Sequence, residues 1–322
     1  MATLAAPLVS VLVATKDRPG DLARLLPTVL AQDEPRFELF VIDQSTSDAT
    51  EHLMRGFAGD ERIIYVRQRE TGKSKALNLA LRLAGAPVLT FTDDDCTVPR
   101  DWLSTALQLV HATPASGLLF ASFVPAAHDE RTEYIPAIAF AELRVIRGGP
   151  WRSHSLVGMG GNMFATRQLL DAVGGFDEDL GPGGPLRTGE ECELTFRTMR
   201  AGFSVIQSPT PVVTHWGVRQ REGGAARRMV NDGFFAMGAG YGKHIRELDA
   251  HAAVIALHDT AWSLAQSCRA VIERKGPFHA RRMAMYWKGL VSGIVAGPNI
   301  SAPSSNRSLG GPGDGHQPPQ PS

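Results

Sequence analysis

The chain has 322 residues, 43% hydrophobic and 20% charged, enough apolar material for a sizeable core in one large or two ordinary domains. Its 33 Lys and Arg balance 33 Asp and Glu, so no basic excess calls for nucleic acid as a partner. Cys96, Cys192 and Cys268 are odd in number and lack metal-type spacing, which suits free thiols in a reducing compartment. The opening residues lack the basic flank and apolar run of a secretory signal, and no stretch of ~18 apolar residues occurs. A cytoplasmic protein is expected.

Residues 8–14 form a compact apolar strand. The turn Thr15-Lys16-Asp17-Arg18-Pro19-Gly20 then leads into helical spacing through Leu22, Leu25, Leu26, Val29 and Leu30. Pro27 should kink that helix or mark its restart. A second strand covers 37–43, and Ser45-Thr46-Ser47-Asp48 caps a second helix. Residues 63–66 make a third strand. Thr71-Gly72 opens a third helix carrying Leu77, Leu79, Leu81 and Leu83. A fourth strand follows over 88–92. This alternation predicts an α/β fold with a mostly parallel, Rossmann-related sheet and right-handed crossovers.

The fourth strand ends in Asp93-Asp94-Asp95. Two like charges ~5 Å apart repel by about 3 kcal/mol at an effective dielectric near 20, so a cation should stand against the triplet. Strand carboxyl ends are where ligands bind in open α/β sheets. Oxygen ligands suit Mg²⁺ or Mn²⁺, which shares its shell with substrate phosphates. Two phosphate loops are excluded: Gly72-Lys73-Ser74 lacks the earlier Walker A glycine, since position 67 is Arg, and 14–20 holds one glycine where a dinucleotide fingerprint needs three. Asp43 can accept from a base or ribose, or cap a helix. Lys75 can meet a base edge or phosphate, or lie on a solvated helix face.

These stretches resemble family-2 glycosyltransferases. The similarity lies in 7–18 (opening strand and turn), in Val41-Ile42-Asp43-Gln44-Ser45-Thr46-Ser47-Asp48, in Gly72-Lys73-Ser74-Lys75-Ala76-Leu77-Asn78, and in Phe91-Thr92-Asp93-Asp94-Asp95 with Pro99 and Trp102-Leu103. The resemblance implies a GT-A fold and inverting transfer of a sugar from a nucleotide diphosphate-sugar donor. It places Thr15, Asp43 and Lys75 on the nucleoside, and Asp93 to Asp95 on the metal and ribose. Arg18 in the first turn joins the expected donor-binding set. Gln44 replaces the usual second Asp.

Residues 117–123 read as another buried strand, and 126–150 as mixed, with a helix. Gly158-Met159-Gly160-Gly161-Asn162 suits close backbone approach to a ligand at Asn162, or a tight β-bulge. A short helix ends at Gly174-Gly175-Phe176-Asp177-Glu178, and Gly181 to Pro185 reads as a mobile loop near a site. Thr188 followed by Glu191 has the spacing of a capping box. By similarity to the family's Gly-Glu-Asp-x-Asp-Leu segment, Glu191 is the general base, with Glu190 the alternative; an ionised base needs no raised pKa. His215 closes a further apolar strand, and a neutral imidazole there can be an extra metal ligand, which the resemblance also implies.

Residues 225–296 read as helical: about 225–248, weakened by Gly233, Gly238, Gly240 and Gly242; 250–275; and 278–295. Val254, Leu257, Ala261, Leu264, Cys268 and Val271 form a stripe expected to pack in a core. Arg281, Arg282 and Lys288 beside Met283, Met285, Tyr286 and Trp287 suit peripheral contact with an anionic membrane, a cap over the sheet, or a dimer surface. From 297 onward the composition is that of a disordered tail. The expected organisation is a catalytic domain over 1–222, a helical region over 223–296 and a tail over 297–322. The expected activity is metal-dependent transfer to a saccharide or lipid-linked acceptor, in bacterial cell-surface polysaccharide or glycolipid synthesis. A sugar nucleotidyltransferase and a catalytically silent nucleotide- or carbohydrate-binding protein are the alternatives.

Overall fold

A computed structural model describes residues 6–148, 158–273 and 278–300. Five apolar runs become the strands that carry the site: β1 (Val9–Thr15), β2 (Phe37–Asp43), β3 (Ile63–Arg67), β4 (Val88–Asp93) and, after the short β5 (Cys96–Thr97), β6 (Ser116–Pro125). Short β7 (Glu133–Tyr134) and β8 (Arg144–Ile146) precede β9 (Met163–Thr166), β10 (Ser204–His215) and β11 (Arg219–Gln220). The main sheet runs β3-β2-β1-β4-β9-β6-β10-β5, with β8 also on β10. Strands β1 to β4 are mutually parallel, as are β6 and β10, whereas β9 lies antiparallel between β4 and β6. The sheet is therefore mixed but mostly parallel.

Helices cover both faces, which is why the central strands are apolar throughout instead of alternating. Helices α1 (Pro19–Leu30) and α4 (Trp102–Ala112) share one core with β1 and β2, centred on Leu22, Leu25, Trp102 and Leu103; Met54 of α2 (Ala49–Arg55) joins it. On the other face α3 (Lys73–Leu83), α5 (Arg167–Val173) and α6 (Glu190–Arg200) bury Leu77, Leu169 and Leu194 against Phe91 and Phe120. Helix α1 runs through Pro27 to Leu30. The second helix begins at Ala49 after Asp48, whose side chain makes no cap bond. Residues 126–148 hold β7 and β8 and, among the described residues, no helix.

Three helices complete the fold: α7 (Ala225–Arg246), α8 (Ala250–Ile272) and α9 (Phe278–Ala296). Two of the four glycines expected to weaken α7, Gly238 and Gly242, instead define its contact with α9. A Cβ at Gly238 or Gly242 would strike the carbonyls of Tyr286 and Leu290, and one at Gly289 or Gly293 those of Phe235 and Ala239. The two backbones lie in contact, and only glycine permits that approach. The stripe on α8 runs the other way. Ala252, Ile255 and Ala256 face inward, while Val254, Leu257, Leu264 and Cys268 are exposed; the Val271 side chain lies outside the described set. Spacing of three and four shows an apolar face but not which face finds a partner.

Of the expected tail, 301–322 lies outside the described residues. Positions 299 and 300 return to the body: Asn299 N donates to Asp177 Oδ2 at 3.1 Å, and Ile300 bridges to Asp177.

Candidate active site

Strand register gathers the first group. Thr15 pairs with Asp43 across β1 and β2, and Ala14 with Asp93 across β1 and β4, so three strands end on one rim. Asp43 is buried there; its Oδ1 accepts from Ser45 N at 2.8 Å and its Oδ2 from the Tyr65 hydroxyl at 2.6 Å. Thr15 Oγ1 donates to Asp94 Oδ2 at 2.8 Å. The cation demanded by the aspartate run is supplied by the chain itself. Arg18 Nη1 reaches Asp94 Oδ1 at 3.1 Å and Asp95 Oδ2 at 3.0 Å, and Lys73 Nζ reaches Asp93 Oδ1 at 2.5 Å. Burial pushes the Asp94 carboxyl up to about 6, with Arg18 and Thr15 opposing.

His215, at the end of β10, faces Asp95, with Nε2 3.3 Å from Asp95 Oδ1. Its Nδ1 lies 2.9 Å from the Pro136 carbonyl. A carbonyl only accepts, so Nδ1 carries a proton and donates, and a neutral ring turns the Nε2 lone pair toward a carboxylate oxygen. Two acceptors facing each other require a proton or a metal ion between them. With a proton there, burial works to lower the His215 pKa, but the Asp95 bond and charge outweigh it and raise it; the same pair, with Arg18, holds Asp95 low against its burial. Gly217 keeps the place open, since a Cβ there would fall 2.6 Å from Asp95 Oδ2 and strike His215 Nε2. Asp95 and His215 are thus the pair that would hold a divalent ion, were its other ligands to come from substrate and water. Asp93, expected on the metal, is turned to Lys73. Among the described residues no three His, Cys, Asp or Glu side chains converge as a complete cage.

The second group comes from the start of α6. Helix α6 starts after Gly189, whose φ of 94° is left-handed, with Glu190 and Glu191 in its first turn. The expected capping box does not form, because Gly189 and not Thr188 is the cap. Glu191 is therefore free of a capping duty. Lys73 Nζ stands 3.6 Å from Glu190 Oε1 and so joins the glutamates to Asp93. Glu190 Oε2 and Glu191 Oε2 are buried with no hydrogen-bond partner among the described residues. Burial and the adjacent Glu190 charge raise the Glu191 pKa, with Lys73 opposing, contrary to the ordinary value expected for an ionised base. If Glu191 must be ionised to act, activity falls as pH drops through this raised value. The acid limb of kcat/KM then lies above the usual carboxylate range, and Glu190→Gln should move it to lower pH by removing the like charge. A limb that stays in place in this variant would contradict the coupling.

The loop between α5 and α6 is anchored on three sides. Lys243 of α7, itself buried, binds Asp177 Oδ1 and Asp179 Oδ2, both at 2.7 Å, while Asn299 Nδ2 donates to Asp179 Oδ1 at 3.1 Å. Lys73 N donates to Pro182 O at 2.9 Å and Ser74 Oγ to Leu180 O at 2.6 Å. Arg187 pairs with Asp232.

Two expected site residues stand elsewhere. Lys75 points to Glu70, 3.6 Å away, and not to the aspartates. Asn162 is buried and fully engaged: it accepts from Trp102 Nε1 and donates to the Ser122 and Pro211 carbonyls, each at 2.9 Å. It ties α4, β6 and β10 together, with no side-chain donor left for a ligand. Lys73, absent from the expected set, is the lysine that stands between Asp93 and Glu190. Gln44, which departs from the family pattern, has a structural role. Its amide brackets Gly72, accepting from Gly72 N at 3.0 Å and donating to Gly72 O at 3.1 Å, and so sets the start of α3 that delivers Lys73.

The chain is similar to several known proteins. It is 27% identical over 203 residues to the beta-monoglucosyldiacylglycerol synthase of Trichormus variabilis, covering 59% of this chain and 41% of that protein. Validoxylamine A glucosyltransferase of Streptomyces hygroscopicus subsp. jinggangensis is 28% identical over 267 residues, 71% of this chain and 60% of its own. The chain thus spans less than two thirds of each of these curated relatives. Among solved structures, the Pyrobaculum calidifontis mannosyltransferase PcManGT, in complex with GDP-Man and Mn²⁺, superposes with a TM-score of 0.55 at 18% identity, covering 90% of this chain and 87% of that one. S. aureus TarS 1-349 in complex with UDP-GlcNAc gives 0.56 at 19% identity, covering 72% and 65%. Both share the GT-A-like fold. The sequence profile of "Glycosyl transferase family 2" matches residues 10–173, just over half of the chain and the part that carries the aspartate rim; the protein belongs to that family.

Proposed function

We propose that this protein transfers a sugar from a nucleoside diphosphate sugar to an acceptor hydroxyl with inversion at the anomeric carbon. The observation that carries this reading is the Glu190–Glu191 pair at the start of α6, joined to the aspartate rim by Lys73. Asp43 and Thr15 take the nucleoside end, while Arg18 and Lys73 are the cations positioned for a diphosphate. Glu191 takes the proton of the acceptor hydroxyl as its oxygen bonds to the anomeric carbon. The bond from that carbon to the diphosphate oxygen breaks, and its electron pair leaves with the nucleoside diphosphate. The transition state is oxocarbenium-like, with base and leaving group on opposite faces of the sugar. A Mn²⁺ or Mg²⁺ ion held by Asp95 and His215 would neutralise charge on the departing diphosphate; Mn²⁺ in the PcManGT complex supports this choice. Relatives named for a glucosyldiacylglycerol and for validoxylamine A support a lipid-linked or saccharide-like acceptor, as in surface polysaccharide or glycolipid synthesis.

The known neighbours bind a uridine and a guanosine donor, so thermal shift with UDP and GDP, each with and without Mn²⁺, is the direct test. A ligand at 100 times its Kd adds about 2.7 kcal/mol to the folded state. One nucleotide should raise the melting midpoint by several degrees, and more with Mn²⁺; no response to any nucleoside diphosphate overturns the reading. Release of pyrophosphate in turnover would indicate a nucleotidyltransferase instead. Lys73→Met should weaken nucleotide binding roughly 10- to 100-fold, as expected for one charge-assisted contact. Lys75→Met should change it little, and the reverse ranking would exchange their roles.

A further inference from the structure

Helices α8 and α9 present apolar side chains that neither a core nor the site uses. On α8, Leu257 is 64% exposed and Ile272 81%, with Val254 and Leu264 beside them along the helix. On α9, Val295 is 72% exposed, and Trp287, Val291 and Ile294 follow the face opposite the glycines that pack on α7. Isolated exposed hydrophobics need no explanation, but two neighbouring helices with such faces do.

We propose that the outer faces of α8 and α9 bind an anionic lipid surface and hold the protein on it without crossing it. Charge selects this occupant. Helix α9 carries Arg281, Arg282 and Lys288 and no acid, and residues 225–296 hold ten Lys and Arg against five Asp and Glu in a chain whose net charge is zero. Arg281 and Lys288 are exposed beside Trp287. Arg282 lies over the Phe234 ring at 3.8 Å and the Trp262 ring at 5.8 Å, so a cation sits where α7, α8 and α9 meet. Apolar residues and tryptophan flanked by Lys and Arg are the composition of an interfacial helix. The three-and-four spacing on α8 also suits a helix of a second copy. A two-fold contact through α9, however, would bring its cations together with no acid from the same helix to pair them. No helix among the described residues is long and apolar enough to span a bilayer, so the surface lies on the membrane. Helix α7, which packs against α9, is tied through Lys243 and Asp232 to the loop that precedes Glu190. Docking would therefore set the glutamate side of the site close to lipid.

The test is flotation of the full chain with vesicles of equal parts phosphatidylglycerol and phosphatidylcholine, against pure phosphatidylcholine. Binding to the anionic vesicles is expected, weakened by salt and at least tenfold weaker on the neutral ones. Arg281→Gln with Lys288→Gln should weaken it by about fivefold for each charge. Leu257→Glu with Trp287→Glu should abolish it. All four positions are exposed, and an unchanged melting midpoint with unchanged transfer to a soluble acceptor shows that each variant is folded. Absence of flotation, or equal binding to both vesicles, overturns the proposal. So does a concentration-dependent dimer, seen by sedimentation, that the glutamate substitutions split while vesicles are ignored. Vesicle binding requires neither donor nor turnover, so its failure leaves the reaction assignment standing.

Discussion

Glu191→Gln should leave nucleotide binding intact and lower transfer by 10²- to 10⁴-fold, the range for loss of a positioned general base. The amide keeps the size and polarity of the carboxylate and cannot take a proton. Helix α6 should persist, because its cap is Gly189 and its packing rests on Leu194 and Phe196. Glu191 Oε2 makes no hydrogen bond whose loss would unfold the first turn. A charge effect accompanies the change: removing Glu191 relieves repulsion with Glu190 and leaves Lys73 nearer to neutralising what remains. The variant should therefore be at least as stable as the parent by thermal melting. Parallel measurement of nucleotide Kd and single-turnover transfer separates the two functions. Near-normal transfer would remove Glu191 from the base role, and Glu190→Gln would then be the variant to fail.

The second large effect is structural. Gly289→Val should cost about 3 kcal/mol or more, at or beyond the upper end for overpacking, because the obstructing atom is the Phe235 carbonyl of α7 and not the end of a flexible side chain. Neither helix can rotate the new group aside without separating from the other. With a urea slope of about 2–3 kcal/mol per molar, the midpoint should fall by roughly 1–1.5 M. Gly233 on α7 is the control: nothing lies within 4 Å of a Cβ there, it is exposed, and Gly233→Ala should stabilise by about 0.5–1 kcal/mol through helix propensity. Equal midpoints for Gly289→Val and the parent would mean that the two helices do not pack through their backbones.

Much of the sheet was legible because its central strands are buried on both faces and read as unbroken apolar runs, as in 8–14 and 88–92. The aspartate rim was legible for a related reason, since three carboxylates ending such a run need a countercharge. Lys73 and Lys75 differ in helical phase. Lys73 shares a face with Leu77 and Ala80, which are buried, and Lys75 with Leu79 and Arg82, so the spacing already distinguished them. Asn162 was different. Its partners, Trp102, Ser122 and Pro211, are 40 to 60 residues distant in sequence, and nothing local announces them. The same holds for α8 and for the glycines of α7, where the pattern defines a face and the neighbouring helix alone decides whether it is buried. The Lys243 clamp was unreadable in advance, because a lysine near the end of a helix looks like a solvated one.

That clamp bears on how the protein is made. Residues up to β10 contain the whole main sheet, yet the segment leading to Glu190 is fastened by Asp232, Lys243 and Asn299. During synthesis the strands of the main sheet are complete once β10 has emerged, while the loop before Glu190 gains its last fastening only with Asn299, so a chain cut short of Asn299 should keep its sheet and loosen that loop.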